Sequence, residues 1–148
     1  LENIKIKKNY PSTIIIDTKK TKLIAVTYKN QQKYYLGSNG KFILSKNLKN
    51  NQNLPVIFGN FNVSDYFELN KILKEEDINA NNIIKYYYHK NKRWDLYLPD
   101  NIIIKLPNKN VKKAISLYKK FKNSNTIKNN TIIDLRISNR LVLKNGQK

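Results

Sequence analysis

Arg93-Trp94-Asp95-Leu96-Tyr97-Leu98-Pro99-Asp100-Asn101-Ile102-Ile103-Ile104-Lys105-Leu106 is the stretch that decides the fold. Trp94, Leu96 and Leu98 occupy alternate positions, and so do Ile102, Ile104 and Leu106. That is the period of strands with one buried face. Pro99-Asp100-Asn101 between them is built from turn formers. The segment therefore reads as two strands returning along one sheet.

Working upstream, residues 83–89 form a further strand, and residues 54–58 a short buried strand closed by Gly59. Between these, residues 64–74 place Tyr66, Phe67, Leu69, Ile72 and Leu73 at helical spacing. Ser64 is the expected N-cap, and Asp65 and Glu68 lie near the start, where the helix dipole favours carboxylates. Downstream, residues 110–122 put Val111, Ala114, Ile115, Tyr118 and Phe121 on one stripe. Lys112, Lys113, Lys119, Lys120 and Lys122 lie outside it. Ile133, Leu135 and Ile137 then alternate with Asp134 and Arg136, Ser138-Asn139 turns, and residues 140–144 form a last strand.

The first third alternates as strands throughout. Ile4 and Ile6 share a face, Tyr10-Pro11-Ser12 turns, and residues 13–18 and 23–28 are rich in β-branched residues. Lys33-Tyr34-Tyr35-Leu36 and Phe42-Ile43-Leu44 flank Gly37-Ser38-Asn39-Gly40, a hairpin with glycines for positive φ. Residues 46–53 are polar and loop-like. The expected class is α+β: an antiparallel sheet with two helices packed against it.

The chain has 148 residues and a formal net charge of +19, with Lys far outnumbering Arg. A nucleic-acid surface is one explanation. Against it, Lys is spread along the whole chain and Arg occurs only at positions 93, 136 and 140. Bidentate recognition of phosphates and bases favours Arg. Lys, Asn and Ile make up nearly half the residues, the bias of AT-rich coding. Tyr34, Tyr35, Tyr86, Tyr87, Tyr88 and Tyr97, interleaved with Lys, could stack on single strands, although tyrosine equally suits half-buried strands.

Catalysis finds no support. There is no Cys and a single His, His89, so neither a thiolate metal site nor a Cys–His pair can form. Glu75-Glu76-Asp77 is the one acidic cluster and reads as a solvated helix end. The glycines at 40 and 59 are isolated, so no phosphate-cradling loop exists. No catalytic, cofactor-binding or metal-binding residue is expected. No apolar run approaches the ~20 residues that cross a bilayer. The opening Leu1-Glu2-Asn3-Ile4-Lys5-Ile6 reads as the middle of a structured region, which puts any membrane anchor upstream.

Three ordered segments resemble the FtsQ/DivIB family. The first is Tyr10-Pro11-Ser12-Thr13-Ile14-Ile15-Ile16 with Leu23-Ile24-Ala25, similar to the closing strand of a POTRA domain running into the family's β domain. The second is Tyr35-Leu36 and Gly40-Lys41-Phe42, followed by Leu54-Pro55-Val56-Ile57-Phe58-Gly59. The third joins Arg93-Trp94-Asp95-Leu96-Tyr97-Leu98 to Ile104-Lys105-Leu106-Pro107, a helix, and Ile133-Asp134-Leu135-Arg136. Departures are local. Lys20-Thr21 replaces Glu-Arg, Leu23 replaces a proline, Asn101 replaces a turn glycine, and Ile137 stands where the family carries an aromatic residue. Asn tolerates the left-handed region, so the turn at Asn101 is expected to survive.

The resemblance implies a domain boundary, with residues 1–22 ending a POTRA domain and residues 23–148 forming the β domain. It implies a non-enzymatic division scaffold at the septum, on the periplasmic side of the inner membrane, anchored by one upstream helix. Its expected partners are FtsB and, through it, FtsL, taken up by strand addition at the last strand. The matching positions are Arg93, Arg136, Ile137, Asn139, Leu141 and Val142. Ile137, Asn139, Leu141 and Val142 would supply backbone and apolar contact, and the two arginines cationic anchors. Trp94 is expected in the core. The competing expectations are a basic nucleic-acid-binding domain and a POTRA-type secretion or assembly module.

Overall fold

β-Branched alternation in the first residues gives β1 (Asn3–Asn9) and β2 (Thr13–Lys19), paired antiparallel with Ile6 opposite Ile16. A computed structural model describes residues 3–10, 12–48 and 52–146 and divides into two units, Leu1–Leu54 and Pro55–Lys148. Pro11 of the first expected turn, Leu1 and Glu2 of the opening, and residues 49–51 of the polar loop lie outside the described residues.

In the first unit, β3 (Leu23–Lys29), β4 (Gln32–Gly37) and β5 (Phe42–Leu44) form consecutive antiparallel pairs. Ala25, Val26, Tyr35 and Leu36 are buried. The β4–β5 turn uses its glycines for two reasons. Gly40 has φ +78°, where a side chain is strained. Gly37 is needed for space, because a Cβ there would run into the Thr21 side chain.

The second unit contains β6 (Val56–Phe58), α1 (Val63–Glu75), β7 (Lys85–Tyr88), β8 (Trp94–Leu98), β9 (Ile102–Lys105), α2 (Val111–Ser124), β10 (Thr131–Asp134) and β11 (Val142–Asn145). The strands run in the order β11-β10-β9-β8-β7-β6. The expectation of an antiparallel sheet requires correction, because β6 pairs with β7 and β9 with β10 in parallel. The reason lies in the connections: α1 links β6 to β7 and α2 links β9 to β10. A helical crossover returns the chain in its original direction, as a tight hairpin cannot. The other pairs are antiparallel. Asp100 and Asn101 turn β8 into β9 with φ near +60°, as expected of Asn101.

Both helices cover one face of this sheet. Tyr66 of α1 meets Tyr86 edge-on, with ring centroids 5.2 Å apart, and Leu73, Ile115 and Tyr118 close over Leu96, Ile104 and Leu106. Phe61, Tyr66, Tyr86 and Tyr88 surround Trp94, which is buried, as expected. Each such side chain contributes roughly 1.5–3 kcal/mol by burial. Burial pushes the Tyr86 hydroxyl well above the usual range, and it donates to Asn70 Oδ1 at 3.3 Å.

The N-cap of α1 is Asn62, not Ser64. Asn62 has extended backbone and its carbonyl accepts from Asp65 and Tyr66; Ser64 lies inside the first turn. The other end closes as a Schellman motif. Asp77 takes φ +57°, its N–H donates to the Lys74 carbonyl, and Ile78 N–H donates to Leu73. The acidic cluster is thus a helix stop. It also joins the helices, since Lys112 Nζ reaches Glu75 at 2.7 Å and Lys119 Nζ reaches Asp77 at 2.9 Å.

Candidate partner-binding edge and groove

β11 stands at one end of the second unit's strand order, with β10 as its neighbour. Its register places Val142 opposite Asp134, Leu143 opposite Ile133, Lys144 opposite Ile132 and Asn145 opposite Thr131. One step on, Gly146 N–H donates to the Asn130 carbonyl at 2.6 Å. Antiparallel pairs alternate between hydrogen-bonded and non-bonded. Val142 and Lys144 therefore turn their N–H and C=O groups toward β10, while those of Leu143 and Asn145 point outward. This edge presents two residues' worth of backbone donors and acceptors at strand spacing.

The last strand begins at Val142, two residues later than expected. The Ile137–Arg140 turn, closed by Arg140 N–H to the Ile137 carbonyl at 3.1 Å, has Asn139 at φ +59°. Leu141 lies between turn and strand. Ile137 and Asn139 are exposed in this turn, and Val142 offers an outward side chain while its backbone faces β10.

Beside the turn runs an open groove of about 450 Å³ between α2 and the segment following β10. Ala114, Leu117 and Leu135 supply its apolar lining. Lys109, Lys113, Lys120, Arg136 and Arg140 supply five cations, and none of the lining residues is acidic. Lys113, Leu117 and Lys120 lie at i, i+4 and i+7, one ridge of α2. Such a groove suits an acidic, partly apolar segment.

Arg136 is fixed by Asp134, whose Oδ1 accepts from Nε at 2.8 Å and whose Oδ2 accepts from Nη2 at 2.6 Å. These bonds draw the Asp134 carboxyl down to about 2. Arg136 keeps 41% of its side chain in solvent. Arg93 differs. It donates from Nη1 to Asp95 Oδ1 at 2.7 Å and is only 15% exposed. Asp95 is shared with His89, whose Nε2 lies 2.8 Å from Oδ2. Lys105 stands opposite both Asp95 and Asp134, so the two carboxylates lie two strand spacings apart, about 10 Å. The two arginines thus belong to one charged row across β8, β9 and β10, but only Arg136 also lines the groove.

Leu143, Asn145, Lys109, Lys113 and Lys120 escaped the sequence reading. Leu143 and Asn145 follow from the phase of the ladder, which no residue pattern encodes. The α2 lysines were visible as the polar side of a stripe, but the turn that faces them is brought there only by the fold.

Among the described residues, no group of three His, Cys, Asp or Glu side chains converges, and no helix is long and apolar enough to cross a membrane. No curated protein matches the chain significantly. The family described as cell division protein FtsQ/DivIB, C-terminal, matches residues 25–136, from the middle of β3 to Arg136. The chain therefore belongs to the FtsQ/DivIB family of cell-division proteins, non-enzymatic members of the divisome.

Proposed function

We propose that this chain is a divisome scaffold that captures an FtsB-like segment by strand addition along β11, and FtsL through it. The carrying observation is the outward backbone of Leu143 and Asn145 at the end of the sheet, which offers main-chain hydrogen bonds to an added strand. Side-chain contacts then select the partner. Ile137 and Val142 give apolar area, Asn139 and Leu141 flank the approach, and Arg136, held by Asp134, meets a partner carboxylate. Arg93 acts from within the charged row and contributes mainly by holding Asp95.

In this reading the domain works on the periplasmic side of the inner membrane at the septum, with residues 1–22 closing a POTRA domain and a single membrane anchor upstream. The β1–β2 hairpin supports that division of the chain, since it forms its own two-stranded sheet. A periplasmic FtsB segment titrated against the protein should bind saturably. Arg136→Glu or Ile137→Glu should abolish binding while leaving the circular dichroism spectrum unchanged. Wild-type affinity in both variants would refute the proposed surface.

A further inference from the structure

Phe58 of β6 and Tyr87 of β7 stand directly opposite one another in the parallel ladder, on the face of the second unit's sheet away from its helices. They are 39% and 41% exposed. Ile84, also exposed, borders the same flank with Val56 and Tyr97. Lys85 rises among them, its ammonium 3.8 Å from the Tyr97 ring centroid and 6.0 Å from that of Phe58. At the end of this aromatic strip the β7–β8 turn exposes Lys90 and Lys92, and the His89 ring packs tilted against Tyr87, centroids 4.7 Å apart. Asp95, directly opposite Tyr87 in the ladder, is buried and bound by both Arg93 and His89. The strip therefore presents apolar rings and ammonium groups with little opposing charge.

We propose that this face and its basic turn bind an anionic lipid surface. Aromatic rings with a polar edge settle at the level of lipid headgroups, and lysines extend their stems over apolar surface while placing charge among phosphates. The net charge of +19 draws the whole protein toward such a surface without choosing a face. The combination of exposed aromatic, aliphatic and lysine groups makes that choice. Ile84 and Val56 favour lipid over nucleic acid, since branched aliphatic side chains give bases no planar platform. Tyr87 and the basic turn stand apart from the β11 edge: β7 lies four strand spacings from β11 in the sheet order, about 19 Å.

The test uses the 148-residue chain and co-sedimentation with large vesicles. One set is phosphatidylcholine alone; the other contains about 30% phosphatidylglycerol, in ~0.1 M salt. Binding is expected with the anionic vesicles only. Each lysine at the surface is worth about fivefold, so Lys90→Gln with Lys92→Gln should weaken partition ~25-fold. Phe58→Ser with Tyr87→Ser should weaken it at least ~tenfold. Lys113→Gln with Lys120→Gln removes the same charge from α2 and should change partition by no more than ~threefold.

A Phe58→Trp variant guards against misfolding of the serine pair. Its emission should shift blue on anionic vesicles and be quenched by brominated acyl chains, above a constant background from buried Trp94. The proposal is overturned by absence of binding, by equal losses from the turn and α2 variants, by an aromatic variant that binds like wild type, or by a Phe58→Trp protein whose emission does not shift. The turn and aromatic variants lie outside the groove beside α2 and should leave capture of the FtsB-like segment unaltered, so failure here and failure at β11 are separable.

Discussion

Arg136 lies in a bidentate pair with Asp134, Nε to Oδ1 at 2.8 Å and Nη2 to Oδ2 at 2.6 Å, and its own N–H adds a third bond to Oδ1 at 3.2 Å. The two residues are consecutive members of one side of β10 and its extension, so the pair needs no distant element to hold it. A guanidinium fixed in this way loses little freedom when a partner carboxylate arrives.

This pairing makes the fold acid-sensitive in a defined window. The Asp134 carboxyl is lowered from 3.8 to about 2, chiefly by the Arg136 side chain. A folded value below the unfolded one means that the stabilisation is fully present above about pH 4. It is lost as pH falls toward 2. With Arg136 partly in solvent, the contribution is on the order of 1–2 kcal/mol. Denaturant titrations from about pH 5 to about pH 2 should show a steeper loss in wild type than in Asp134→Asn.

Trp94 anchors the second unit through four aromatic neighbours, with the Tyr88 centroid 4.6 Å away. Trp94→Ala should cost on the order of 3–5 kcal/mol, as large-to-small core changes do. Trp94→Phe should cost less and leave partner affinity unchanged. Trp94 fluorescence should be blue-shifted in the free protein and insensitive to the partner, which a contact residue would not be.

Gly59 follows β6 with φ +96°, and a Cβ there would strike the Tyr88 carbonyl. Gly59→Ala should therefore destabilise by roughly 3 kcal/mol, adding backbone strain to a collision with the neighbouring strand. Thermal unfolding would read this directly. A shift within error would mean that the loop relaxes freely.

Much of the fold was legible because its signals are local. The Trp94–Leu98 and Ile102–Ile104 alternation, the two amphipathic helices and the Ser138-Asn139 turn each depend on a few adjacent residues. Strand direction was less legible from local alternation. Ile57 and Ile133 carry the same buried pattern in parallel or antiparallel pairing, and only the helix between paired strands decides between them. Serine is a good cap by residue type, which favours Ser64 from sequence, yet Asn62, two residues earlier, has the extended backbone that begins the helix. Glu75 and Asp77 read as solvated because their partners, Lys112 and Lys119, lie some 40 residues away in sequence. At the candidate site, Arg136 came from the family resemblance carried by Ile133-Asp134-Leu135-Arg136. Leu143 required the hydrogen-bond phase of a ladder, and Arg93 proved more enclosed than an anchor needs to be.

Strand addition at β11 is tested most directly by proline at position 143, in place of Leu143. Proline there removes an N–H that points away from β10, a position where an edge strand tolerates it. Calorimetric titration with an FtsB-like segment should show binding lost in Leu143→Pro, with the thermal transition close to that of wild type. Lys144→Pro, which deletes a ladder bond to β10, should instead lower the transition itself. Wild-type affinity in a folded Leu143→Pro protein would contradict main-chain capture along this edge.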